Sequence, residues 1–110
     1  MDKNMFPQIR RCFETDAVYY TTHAKNEMME EALGRISDEE VYETILSGEI
    51  IENYHEDKPY PSCLIYGNTR RTRPLHVVCA YNKQETMVII ITVYEPDSAR
   101  WINYKRRKQI

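Results

Sequence analysis

Three arginines in the run Arg70-Arg71-Thr72-Arg73 sit between two strand-like stretches. Guanidinium groups grip phosphate in bidentate fashion and keep their charge near neutral pH, so one hairpin tip carrying three of them is a candidate holder of an RNA backbone. The plainer reading is a solubilising turn. His76 lies in Leu75–Tyr81, where alternation puts Leu75, Val77 and Cys79 on one face and His76, Val78 and Ala80 on the other. An imidazole titrating near neutrality among apolar neighbours is suited to general acid–base work, although such a histidine is more often a hydrogen-bonded core residue. His23 falls at the start of a helical stretch, where the helix dipole disfavours the cation and keeps the ring neutral. A neutral imidazole there acts as a base or bonds to backbone. Tyr66 and Tyr94 come near the ends of two strand-like runs, and tyrosines on a sheet face stack on RNA bases, donate to phosphate, or simply pack with a wet tip. Lys105 and Arg106 open a basic run, Lys105-Arg106-Arg107-Lys108, that adds phosphate contacts or is merely solvated.

Other chemistries lack their residues. The chain has only three glycines and no glycine-rich phosphate loop, H-E-x-x-H, G-x-S-x-G or dinucleotide fingerprint. His23 and Glu27 at i, i+4 do not make a metal site, and the three cysteines, Cys12, Cys63 and Cys79, form no C-x-x-C pair. No metal and no cofactor are expected. An odd cysteine count without an apolar leader in MDKNMFPQIRR predicts a reducing, cytoplasmic setting. The longest strongly apolar run, Met87 to Val93, is far short of a membrane span.

The elements that must position these residues follow from periodicity. At 110 residues, with 42% hydrophobic and 29% charged, the whole of 1–110 reads as one globular α+β domain. Met5, Ile9, Cys12 and Phe13 predict a first helix, and Ala17 to Thr21 favours an extended backbone. Thr21 or Thr22 caps a second helix, His23 to Leu33, ended by Gly34. Ser37 with Glu40 is a capping box that opens a third helix, with Val41, Ile45 and Leu46 toward the core and Gly48 as its stop. Strands are then expected at Glu49–Tyr54, Ser62–Asn68, Leu75–Tyr81 and Thr86–Tyr94. Short links between them predict a four-stranded antiparallel sheet under two to three helices. The last strand reads as central, with Met87, Ile89, Ile91 and Val93 on one face and Val88 and Ile90 on the other. Were it exposed, it would favour a homodimer. Pro96 to Lys108 is expected as a short helix or tail. Residues 1–57 carry 5 Lys/Arg against 14 Asp/Glu, and residues 58–110 carry 10 against 3, which suggests a face for an anionic partner unless the halves neutralise each other in space.

The order and spacing of several short blocks resemble the domain of unknown function 4258 family. These blocks are Thr22-His23-Ala24 with Met28, Ile36-Ser37-Asp38-Glu39-Glu40-Val41, Gly48-Glu49-Ile50-Ile51-Glu52 and Asp57-Lys58-Pro59-Tyr60-Pro61-Ser62. They continue with Arg73-Pro74-Leu75-His76-Val77-Val78 and with Ile91-Thr92-Val93-Tyr94-Glu95-Pro96-Asp97, followed by Trp101. The resemblance implies a fold similar to RelE-like and MqsR-like bacterial toxins, and a toxin that pairs with a zinc-finger-type antitoxin. It implies metal-independent cleavage of RNA by attack of the ribose 2′-hydroxyl. Carried over block by block, it gives His23, Arg73, His76 and Tyr94 as catalytic residues. One histidine would be base or acid, Arg73 would hold phosphate, and Tyr94 would orient substrate or donate a proton. The RNA-contacting set expected beside them is Tyr66, Arg70, Arg71, Lys105 and Arg106. The alternatives are a non-catalytic protein- or RNA-binding module of the same fold and, with least support, a small-molecule or metal-binding domain.

Overall fold

The structure, a computed structural model, describes residues 5–109. Its first helix, α1 (Met5–Glu14), buries Ile9 and Cys12. A three-residue strand, β1 (Val18–Tyr20), leads into α2 (Thr22–Glu30), and α3 (Asp38–Ser47) follows. Then come β2 (Glu49–Tyr54), β3 (Ser62–Asn68), β4 (Pro74–Asn82) and β5 (Met87–Tyr94), and finally β6 (Trp101–Ile102) and β7 (Arg106–Arg107).

The sheet has five strands in the order β1-β5-β4-β3-β2, not four. The β2–β5 meander is antiparallel as expected, but β1 adds to its far side parallel to β5, pairing Val18 with Val88 and Tyr20 with Ile90. The extended run at Ala17 to Thr21 therefore closes the edge that β5 would otherwise present. The helices cover one face, where Ile9, Ala24, Met28, Val41, Ile45 and Val77 join one buried cluster.

Local signals explain the helix ends. The Oγ1 of Thr21 accepts from the Ala24 amide and caps α2. Ser37 and Glu40 form the predicted capping box on α3. The second helix stops at Glu30, three residues short of the expected Leu33. The chain turns through Gly34 at φ +117°, and the Ile36 amide bonds back to the Met28 carbonyl, so Met29 and Leu33 are exposed. Leu46, expected in the core, is also exposed, because the buried stripe of α3 runs through Val41, Thr44 and Ile45. At the end of α3, Gly48 and Gly67 are in close contact. A Cβ on Gly67 would lie 2.4 Å from the Thr44 carbonyl oxygen and 3.0 Å from the Cα of Gly48.

Two β-bulges change which side chains face out. In β5, Val78 pairs with Thr92 and Cys79 with Ile90, which leaves Ile91 as the extra residue. Val93 therefore joins Val88 and Ile90 in the core, against the expected alternation, and Tyr94 points to the other face. In β2, the register shifts between Ile50 and Glu52 in the same way and turns Glu52 outward, opposite Leu64. The C-terminal segment is neither helix nor tail. It is the β6–β7 hairpin, which lies over the outer face.

Candidate functional site

Cross-strand register aligns four residues in one row on the outer face: Glu49, Tyr66, His76 and Tyr94. The His76 ring meets Tyr66 edge-on at 5.9 Å and Tyr94 at 5.2 Å between centroids. Trp101 of β6 stands at right angles to it at 4.4 Å. Together with Tyr104 these rings leave His76 with no exposed surface.

The hydrogen bonds of His76 fix its tautomer. Nε2 lies 2.6 Å from the Tyr104 carbonyl oxygen, which can only accept, so Nε2 carries the proton. In the neutral ring Nδ1 must then accept, and the Tyr94 hydroxyl donates to it across 3.0 Å. Burial pushes the His76 pKa below its ordinary value, opposed by the Tyr104 bond and the charge of Glu52. Burial likewise pushes the Tyr94 phenol up.

Tyr94 lines a cleft of about 480 Å³ between the end of β5 and the hairpin. Arg100, Arg107 and Lys108 bring positive charge to it, and Glu95 and Asp97 negative charge. Arg107 lies 4.7 Å over the Trp101 ring and grips Glu52 with two bonds of 2.9 and 3.1 Å. Burial favours the neutral acid at Glu52, but bonds from Arg107 and Tyr54 outweigh it and hold the carboxyl below its ordinary range. Tyr54 donates to the same carboxylate at 2.5 Å, and burial together with that bond pushes its phenol up to about 12.

The residues expected to be catalytic fall into three groups. His76 and Tyr94 are in contact. Arg73 is committed elsewhere: it pairs with Glu95 at 2.6 Å and with Glu40 at 3.1 Å, and it donates to the carbonyls of Gly34 and Arg35. It reaches the cleft through Glu95, which lines it. His23 is mostly exposed on α2, 3.3 Å from Glu27. That carboxylate also accepts from the Val93 amide, and Glu31 accepts from the Glu95 amide. Glu27 of α2 and Glu31 at its C-cap thus satisfy amides at the end of β5 and just beyond it, where short β1 does not reach.

Of the expected RNA-contacting residues, Tyr66 lies in the row, and its hydroxyl accepts from Asn68. Arg70 leans on Glu43 of α3 at the β3–β4 tip, and Arg71 is exposed beside it. Lys105 pairs with Glu49 at 3.4 Å, and Arg106 is exposed in β7. Sequence reasoning missed Glu52, Arg100 and Tyr104 as site residues and had Arg107 only as one member of the basic run 105–108. The basic run was visible, but only the hairpin pairing tells which cation faces the sheet. Among the described residues, no buried side-chain polar atom lacks a hydrogen-bond partner, and no helix is long and apolar enough to cross a membrane.

Residues 20–95 match the family model described as Domain of unknown function (DUF4258). No curated protein and no solved structure matches the chain.

Proposed function

We propose, from the premise that this chain belongs to the DUF4258 family, that it is the toxin half of a bacterial toxin–antitoxin pair with a RelE-like fold, and that it cleaves RNA without a metal at the cleft beside Tyr94. The observation that carries this reading is the Tyr94–His76 hydrogen bond at the wall of a cleft with three cations. A ribose 2′-hydroxyl seated against Tyr94 passes its proton to the phenol oxygen as the phenol's own proton moves to His76 Nδ1. The O2′–P bond forms, the P–O5′ bond breaks, and the leaving oxygen takes a proton from Lys108 or from water. Burial disfavours a free phenolate at Tyr94, so the two proton transfers are concerted. The imidazolium produced lies within the field of Glu52.

Arg100, Arg107 and Lys108 supply the charge that stabilises the crowded phosphorus, and such electrostatic stabilisation usually lowers the barrier more than any other single effect. Arg73 serves as a brace that holds Glu95 in the cleft wall. The partner that the resemblance implies, a zinc-finger-type antitoxin, belongs to the same proposal.

One observation favours a second reading, an RNA-binding module without chemistry. Both ring nitrogens of His76 and the guanidinium of Arg73 already have partners inside the fold. The test is incubation of single-stranded RNA with trace purified protein in EDTA, wild type beside Tyr94→Phe. Cleavage to 2′,3′-cyclic phosphate ends, reduced on the order of 100-fold or more by Tyr94→Phe, is the expected result. Intact RNA at stoichiometric folded protein would discard catalysis. Retained RNA binding in that case would select the binding module.

A further inference from the structure

The β6–β7 hairpin covers the row of rings yet belongs weakly to the fold. It forms a separate sheet of two residue pairs, Trp101 with Arg107 and Ile102 with Arg106. Two-stranded hairpins of this size are marginal in water without outside support. Its turn places Asn103 and Tyr104 at φ +53° and +62°, a conformation that side chains other than glycine adopt at a cost. What holds it down is therefore side-chain tethering. Two of the tethers are ionic and partly exposed: Arg107 on Glu52 and Lys105 on Glu49, both carboxylates belonging to β2. Two are not: the His76 bond to the Tyr104 carbonyl and the packing of Trp101 on His76.

The ionic tethers use groups that a phosphate chain would also seek. Phosphodiesters compete for arginine with the same bidentate geometry as a carboxylate. Arg107 stands at the junction, because it lines the cleft while it grips Glu52. Beneath the hairpin lie Tyr66, His76 and Tyr94, three aromatic rings in a row across three strands. Rings so arranged suit the stacking of successive bases.

We propose that the β6–β7 hairpin is a strap that a phosphodiester chain releases: phosphates draw Arg107 and Lys105 from Glu52 and Glu49, the hairpin lifts, and the Tyr66–His76–Tyr94 row opens as a stacking surface. The identity of the ligand rests on the RNA reading above, whereas the latch itself does not. Engagement of the cleft and exposure of the row are then one event, and the row stays covered until a polyanion is present.

The chain's one tryptophan, Trp101, lies in the strap and is nearly buried. Its acrylamide quenching reports whether the strap is down. The experiment uses the full chain, wild type and Glu52→Gln, with and without a short single-stranded oligoribonucleotide at low salt, and with binding followed separately by anisotropy. The amide introduced by Glu52→Gln still accepts from Tyr54 but gives up the charge that holds Arg107. The expected result is quenching that rises at least twofold when the oligoribonucleotide binds the wild type, and a similar rise in ligand-free Glu52→Gln whose circular dichroism matches the wild type. Oligoribonucleotide bound without any change in quenching would overturn the strap while leaving the RNA reading standing. Absence of binding would overturn the RNA reading. Glu52→Gln then decides the strap alone: increased quenching supports the latch, and unchanged quenching in both Glu52→Gln and 1 M salt ends it.

Discussion

A histidine that gives its Nε2 proton to a carbonyl has one nitrogen left, and Tyr94 occupies it. His76→Ala is therefore a poor probe of chemistry. It opens a hole and strands both the Tyr104 carbonyl and the Tyr94 hydroxyl, at a cost of roughly 3 kcal/mol or more. Tyr94→Phe keeps the ring and should cost about 1 kcal/mol in a urea melt, so a loss of activity there is not a loss of fold. The same buried imidazole makes stability depend on pH. Burial holds the folded pKa of His76 below 6.5, so the unfolded chain takes up a proton that the folded chain refuses. Its contribution is present above pH 6.5 and is lost as pH falls through the lower folded value. Glu52 has a depressed folded pKa too; its contribution is present above the ordinary 4.5 and is lost at more acid pH. We expect the urea midpoint to fall between pH 7.5 and 5, and to fall much less in His76→Asn. An equal slope in the variant would show that the imidazole is not held neutral.

Among the elements, α3 is the one whose every boundary could be read in advance. Ser37, Glu40 and Gly48 act within a single turn of their own backbone, and nothing distant overrides them. Ser37→Ala should cost about 1 kcal/mol. Glu40→Ala should cost more, because its carboxylate closes the capping box and also holds Arg73; thermal melts of the two variants should rank them in that order. Gly67→Ala should destabilise by about 1–3 kcal/mol, since its methyl would meet the Thr44 carbonyl rather than a flexible side chain; a loss under about 0.5 kcal/mol would mean that α3 can shift away from β3. The four strands of the meander were legible for a similar reason, as period and turn residues are local signals. The place of β1 was not. Its partner lies about seventy residues away in the chain, and three residues carry too short a pattern to announce a parallel pairing. The hairpin was hidden too, because its two strands are each two residues long. Arg73 shows the limit at the site: its type and position suit phosphate, and only the fold shows that Glu40, Glu95 and two carbonyls already use its guanidinium.

At the scale of the molecule, the acidic first half and the basic second half are partly knitted together by ion pairs, with Arg73 to Glu40, Arg70 to Glu43, Lys105 to Glu49 and Arg107 to Glu52. Raised salt should therefore loosen the packing of one half on the other as well as any hold on RNA. The strand whose exposure would drive self-association, β5, lies between β1 and β4. Sedimentation should accordingly give a species near 13.2 kDa; a stable dimer would point instead to the exposed Met29 and Leu33. The two bulges have a consequence for the chain's history. A strand writes core and surface in alternate letters, and one inserted letter at Ile91 changes the reading frame for everything after it. Tyr94 and Glu52 both lie just downstream of such a frameshift. Without its bulge a strand of this sequence would turn Tyr94 inward, whereas deletion of Ile91, which removes the extra residue and the bulge together, should leave Tyr94 on the outer face opposite His76.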